Sequence, residues 1–205
     1  MENLAYDYVP EDLEEVNDEE EDYEIIGGVK FIMSPAPNPT HGALVGRLIT
    51  VFNNYIDEKD IIARVFGDNT DVYLSNEDHF KPDMSVVCNL EIIDWNGAVK
   101  GAPDLVVEVL SKSTMKNDMG LKKKIYAKYG VKEYWIVNPW AKSIEVYYLV
   151  DGTYELDEVY KIYNSTEWER LTEKERKESK FDIKVSIFDD LFIDIRKVFK
   201  WWLDD

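Results

Sequence analysis

Residues 102–111 read Ala-Pro-Asp-Leu-Val-Val-Glu-Val-Leu-Ser. The Ala-Pro-Asp turn followed by an almost unbroken apolar run predicts a buried strand over Leu105–Leu110. Glu108 interrupts that run, between Val107 and Val109. An ionised carboxylate inside a packed sheet costs several kcal/mol unless a cation or hydrogen-bond donors meet it. Glu108 therefore needs a partner, and the surrounding sequence offers two kinds. Asp83 opens another apolar run, Lys-Pro-Asp-Met-Ser-Val-Val-Cys, and could share a divalent metal with it. Lys122 lies on the predicted helix that follows and could supply a fixed positive charge.

That helix is expected from about Asp118 to Tyr129, ended by Gly130 as a C′ residue. At about 100° per residue its apolar positions Leu121, Ile125 and Tyr129 form one stripe, expected to face the core. Lys122 falls on the same side, whereas Lys123 and Lys124 point outward. One of three consecutive lysines is thus directed at the sheet. The structural alternative is a salt bridge from Lys122 to Glu108 or Asp118 with no chemistry attached. Two carboxylates and a lysine are also the minimal kit for metal-assisted phosphodiester hydrolysis.

Working outward, the chain predicts one α/β domain, a mixed sheet with two main helices. Residues 1–22 hold eleven acidic and no basic side chains and read as a disordered acidic tail, leaving 23–205 as the domain. Tyr23–Ile26 and Val29–Met33 flank Gly27-Gly28 as a hairpin. A first helix starts near Thr40, with apolar positions Leu44, Val45, Leu48, Ile49, Phe52 and Ile56 at helical spacing. Further strands are expected at 61–66, 71–74, 84–88, 133–137, 143–149 and 154–160. The charged stretch 164–180 reads as an exposed helix or a loop. A last strand region near 183–194 leads to a terminal helix containing Trp201 and Trp202.

The 205 residues suffice for one real core. No apolar run is long enough for a membrane span and the N-terminus does not resemble a signal peptide, so a cytoplasmic protein is expected. The one cysteine, Cys88, fits a reducing compartment. A net charge of −18 argues against a nucleic-acid partner, but its distribution softens that objection. Residues 111–132 carry seven lysines and one acid, Asp118. No phosphate-cradling glycine loop is present. His41 and His79 are far apart in sequence, which disfavours zinc.

Three segments together resemble a known family. They are Pro103 to Thr114, then Asp118, Lys122 and Tyr126 four apart, then Gly-Val-Lys-Glu-Tyr-Trp-Ile-Val-Asn-Pro at 130–139. They are similar to the Uma family, described as "putative restriction endonucleases", within the PD-(D/E)XK nuclease superfamily. The resemblance implies a restriction-endonuclease-like core, a central mixed β-sheet flanked by α-helices. It implies a metal-dependent endonuclease acting on DNA. It assigns Asp83 and Glu108 as ligands of Mg²⁺ (or Mn²⁺) and Lys122 as the catalytic lysine. The superfamily's usual lysine position, two residues after Glu108, is Leu110 here. His41 stands near the place where many members carry a first-helix glutamate, and Asp104 belongs to a structural turn. A homodimer would suit cleavage of both strands. The alternative is a non-catalytic interaction module in which Glu108 and Lys122 form a structural ion pair.

Overall fold

The computed structural model describes residues 22–33 and 38–200. The acidic tail up to residue 21, Pro35, Pro37, Trp201 and Trp202 lie outside them.

The described residues open with the hairpin of β1 (Tyr23–Ile26) and β2 (Val29–Ile32). Gly27 and Gly28 form its turn at φ 60° and 79°, the positive angles that a two-residue type I′ connection requires. Helix α1 (Pro39–Lys59) has Asn38 as its N-cap, two residues before Thr40. The Asn38 side chain accepts from the His41 amide at 3.0 Å, and Pro39 occupies the first helical position. That cap fixes His41 in the first turn. The helix buries Leu44, Val45, Leu48, Phe52 and Ile56.

Strands β3 (Arg64–Gly67), β4 (Val72–Tyr73), β5 (His79–Phe80), β6 (Met84–Val87), β7 (Val99–Lys100) and β8 (Leu105–Val109) follow. A continuous helical run then covers 115–128: α2 (Met115–Asn117), a π-helical turn (Asp118–Lys122) and α3 (Lys123–Lys128). It ends in a Schellman motif. Gly130, at φ 86°, donates to Ala127, and Val131 donates to Tyr126. Strands β9 (Glu133–Asn138), β10 (Ser143–Val150) and β11 (Thr153–Lys161) form a meander. The charged stretch resolves into two capped helices, α4 (Ser165–Arg170) and α5 (Glu173–Glu178). A hairpin of β12 (Asp182–Lys184) and β13 (Phe192–Asp194) precedes α6 (Ile195–Val198).

The expectation of one mixed sheet needs correction, because the described strands form three sheets. The largest has the order β11-β10-β9-β8-β6-β3. It is mixed, since β8 runs parallel to β9 and antiparallel to β6. A second sheet has the order β2-β1-β5-β4-β7, and β12 pairs with β13. The two-residue strands β5 and β7 are too short to show any periodicity.

Strand β8 is buried along its whole length. Leu105, Val107 and Val109 join the α1 core with Leu44, Leu48, Phe52 and Trp135. Val106 joins a second cluster with Ile26, Phe80, Tyr126 and Tyr134 on the other face. A strand covered on both sides must be apolar almost throughout. Glu108 alternates with Val107 and Val109, so it points to the second face.

Candidate active site

Strands β6 and β8 pair through Met84↔Val107 and Ser85↔Val106. One step further along that register sets Asp83 opposite Glu108, which puts both side chains on one face. Asp83 is anchored there, because its Oδ2 accepts from the Val109 amide at 2.6 Å. Both carboxylates line a cleft of about 350 Å³, together with His41, Asp68, Lys81 and Lys122.

Lys122 enters from the π-helical turn. Such turns are rare and recur at functional sites. The turn is held close to the end of β8 by Ser111 and Thr114, whose hydroxyls lie 2.9 Å apart and whose amides each donate to the other's side chain. Lys122 is 2% exposed. Its Nζ lies 2.7 Å from Glu24 Oε1, 3.3 Å from Glu108 Oε1 and 3.4 Å from Asp118 Oδ1. The Tyr126 hydroxyl donates to the same Glu108 oxygen at 3.0 Å. The i, i+4, i+8 series Asp118, Lys122 and Tyr126 is therefore the stripe that faces inward.

This corrects the stripe expected from the sequence. Leu121 is 48% exposed, and Ile125 and Tyr129 are only half-buried. Lys124 is exposed, as expected. Lys123 is half-buried, with Nζ 3.1 Å from the centre of the Tyr147 ring. Asp104 is structural. It accepts from the Cys88 amide at 2.7 Å and pairs with Lys132.

Three further residues complete the surroundings. Glu24 on β1 is buried and accepts from the Lys81 amide at 3.1 Å. Its signal was readable, since alternation places it on the same face as Ile26. Asp68 follows β3 directly, and no local pattern marks it. His41, which sequence spacing separates from any cluster, places Nε2 3.1 Å from Asp83 Oδ2. One ligand atom each from His41, Asp68 and Asp83 falls within a 4.8 Å group.

Negative charge dominates here: Glu24, Asp68, Asp83, Glu108 and Asp118 surround Lys81, Lys122 and His41. Burial raises the Glu108 carboxyl well above its usual range; Lys122 opposes this, while Asp118, Asp83 and Glu24 add to it. Burial likewise pushes Asp118 up to about 6, against the pull of Lys122. Burial alone would lower Lys122, but Glu108, Glu24 and Asp118 hold it well above the ordinary lysine value. Both partners of the Lys122–Glu108 pair are thus raised. The lysine is over-supplied with carboxylates, and one ammonium does not offset the burial of all of them.

The Uma2 family, described as "Putative restriction endonuclease", matches residues 10–176. The chain belongs to that family. Among solved structures, the chain is similar to the crystal structure of "a putative nuclease belonging to DUF820" from Anabaena variabilis ATCC 29413. The similarity covers 90% of this chain and 93% of that one, with a TM-score of 0.62 and 22% identity. At that identity the likeness is one of fold. No curated protein matches. No helix among the described residues is long and apolar enough to cross a membrane.

Proposed function

We propose that the chain is a divalent-metal-dependent endonuclease that hydrolyses DNA phosphodiester bonds on a restriction-endonuclease-like core. The observation that carries this reading is the meeting of three elements at one cleft. Asp83 comes from the residue just before β6 and Glu108 from the neighbouring β8, Lys122 comes from the helix, and the carboxylates outnumber the cations. The donor set fits a hard divalent ion, because Mg²⁺ takes carboxylate oxygens and keeps several waters for phosphate to displace. Bound there, such an ion supplies charge neutralisation at phosphate and a more acidic water.

The chain's own residues have separate tasks. Asp83 is held by the Val109 amide, so its carboxylate is presented in a fixed direction. Glu108 is oriented through Oε1 by Lys122 and Tyr126. Lys122 keeps its proton and faces the charge that develops on the phosphate. A homodimer would cut both strands of a duplex, and a cytoplasmic setting keeps Cys88 reduced.

One observation favours the non-catalytic module instead. Lys122 already has three carboxylate neighbours, so it satisfies a structural network without any substrate. The discriminating experiment is cleavage of varied DNA substrates with Mg²⁺ or Mn²⁺, comparing the native chain with Glu108→Gln. Metal-dependent cleavage that the variant loses, with its fold intact, supports the nuclease. Cleavage unchanged in Glu108→Gln would mark a contaminant and leave the structural module.

A further inference from the structure

The second sheet has a face turned away from the core. One register row crosses all five of its strands: Lys30 on β2, Ile25 on β1, His79 on β5, Tyr73 on β4 and Lys100 on β7. Residues paired in register share a face. The next row, Phe80, Val72 and Val99, is buried on the opposite face, so the Tyr73 row is the outer one. At its centre His79 is 3% exposed, and its Nε2 lies 2.7 Å from Asp71 Oδ1. Tyr73 stacks on that imidazole, with ring centres 4.2 Å and planes 6° apart. Tyr23 meets the imidazole edge-on at 5.7 Å, and Lys30 lies over the Tyr23 ring. Tyr73 is nonetheless 42% exposed, and no second ring packs on it among the described residues. The fixed imidazole thus holds a half-open phenol in one orientation. Such a ring offers contact area at low entropic cost.

Charge and position say what this surface takes. Lys30 and Lys100 stand at the two ends of the row. Lys81, two residues after His79, falls on the same face by alternation. Lys81 also lines the cleft with Asp83 and Glu108, so it joins the row to the candidate active site. Asp22 and Asp71 balance Lys81, and Asp94 balances Lys100. In a chain of net charge −18, a face whose lysines match its acids is one where a polyanion meets little repulsion. Aromatic rings edged by lysines are the surface that single-stranded nucleic acid uses, with bases on the rings and phosphates on the cations. A fully paired duplex has no base free to stack there.

We infer that Tyr73, backed by His79, is a stacking platform for an unpaired base of single-stranded DNA whose backbone passes Lys81 into the cleft. The inference rests on the nuclease reading for what happens to that strand, but the platform itself stands on the second sheet alone. It narrows the substrate class to DNA with a single-stranded segment, such as an overhang, a gap or a flap. Tyr73 is a binding residue, and the reacting atoms lie elsewhere. Stacking carries the affinity and the nearby lysines are already balanced, so binding at this face depends only weakly on salt.

The test is binding in EDTA, so that no strand is cut. Oligothymidylates with the fluorescent base 2-aminopurine at successive positions are titrated into the full chain, alone and annealed into blunt duplexes. The native chain should prefer the single strand and quench the probe by stacking, a result that needs no variant. Tyr73→Ala should weaken single-strand affinity by about 5- to 150-fold, the equivalent of one base–aromatic stack, and remove the quenching. Tyr73→Phe, which keeps the ring, should retain both. Unchanged affinity and quenching in Tyr73→Ala, equal losses for single strand and blunt duplex, or no oligonucleotide binding by the native chain would each overturn the platform. Metal-dependent cleavage that acts on blunt and single-stranded DNA alike, at the same rate in Tyr73→Ala, would overturn it too, while leaving the nuclease reading intact. Tyr73-dependent stacking with no cleavage in Mg²⁺ or Mn²⁺ would support the platform and remove the nuclease reading.

Discussion

At the scale of single residues, direction matters more than composition. Lys122 and Lys123 are identical neighbours in sequence, yet one is enclosed by carboxylates and the other lies over an aromatic ring. Truncating one partner of a buried pair leaves charges uncompensated and typically costs about 3–5 kcal/mol. Lys122→Met should therefore lower stability by that order and abolish any cleavage. Lys123→Met should cost about 1 kcal/mol or less, the scale of a partly exposed cation–π contact, and leave the rate nearly unchanged. Urea denaturation and a cleavage assay on both variants check this, and equal losses would show that the helix supplies only bulk charge. Glu108 and Lys122 were legible because each breaks a local pattern: an acid in an apolar strand, and a lysine on an inward face. Asp68 was not, because it follows a strand end and meets His41 only through the packing of β3 against α1. Nothing periodic encodes that encounter.

At the scale of elements, the clearest lesson comes from the helical run 115–128. Apolar periodicity selected Leu121, Ile125 and Tyr129, whereas the buried stripe is Asp118, Lys122 and Tyr126. The rule assumes that a helix buries its greasiest face, and this helix faces a charged cluster instead. The strands were legible wherever both faces were covered or alternation was clean, and the hairpin glycines marked their own turn. A second buried acid illustrates how elements are joined. Glu133, on β9, accepts from Trp135 Nε1 at 2.6 Å and from the Ser186 amide at 2.7 Å, and it also receives the Ser186 hydroxyl. It thereby ties the central sheet to the segment between β12 and β13. Burial raises its carboxyl, and the Ser186 and Trp135 bonds only partly counter that. The folded group thus holds its proton to higher pH than the unfolded one. Its contribution is full below the unfolded pKa of about 4.3 and declines as pH rises through the folded value. Glu133→Gln should destabilise the chain by about 1–3 kcal/mol, because donors lose their acceptor. The gap in melting temperature between native and variant should be wider at pH 4 than at pH 7. A gap that widens with rising pH would mean that the carboxylate is stabilised in its charged form.

At the scale of the whole molecule, charge is divided unevenly. Residues 1–21 contain ten acids and no base, so removing them takes the net charge from −18 to −8. Asp22, which the sequence reading assigns to the tail, has partners among the described residues. The Asp22 carbonyl accepts from Met33 at 2.8 Å, and the Asp22 carboxylate pairs with Lys81 at the cleft. A cut after residue 21 therefore spares the hairpin, whereas a cut after Ile26 removes Glu24 from Lys122 and Ile26 from the second core cluster. The shorter deletion should leave the melting temperature nearly unchanged, and the longer one should lower it sharply. The shorter deletion also separates two roles for the acids. If their charge opposes a polyanion approaching the lysine-rich segment 111–132, the truncated chain should bind duplex DNA more tightly at low salt. The two chains should converge at about 1 M salt, where the screening length shrinks to about 3 Å. The slope of log affinity against log salt reports how many phosphates are neutralised. A parallel shift of that line would mean the acids act through net repulsion. A steeper line after truncation would mean that they had occupied lysines that DNA then engages, and identical lines would exclude both roles.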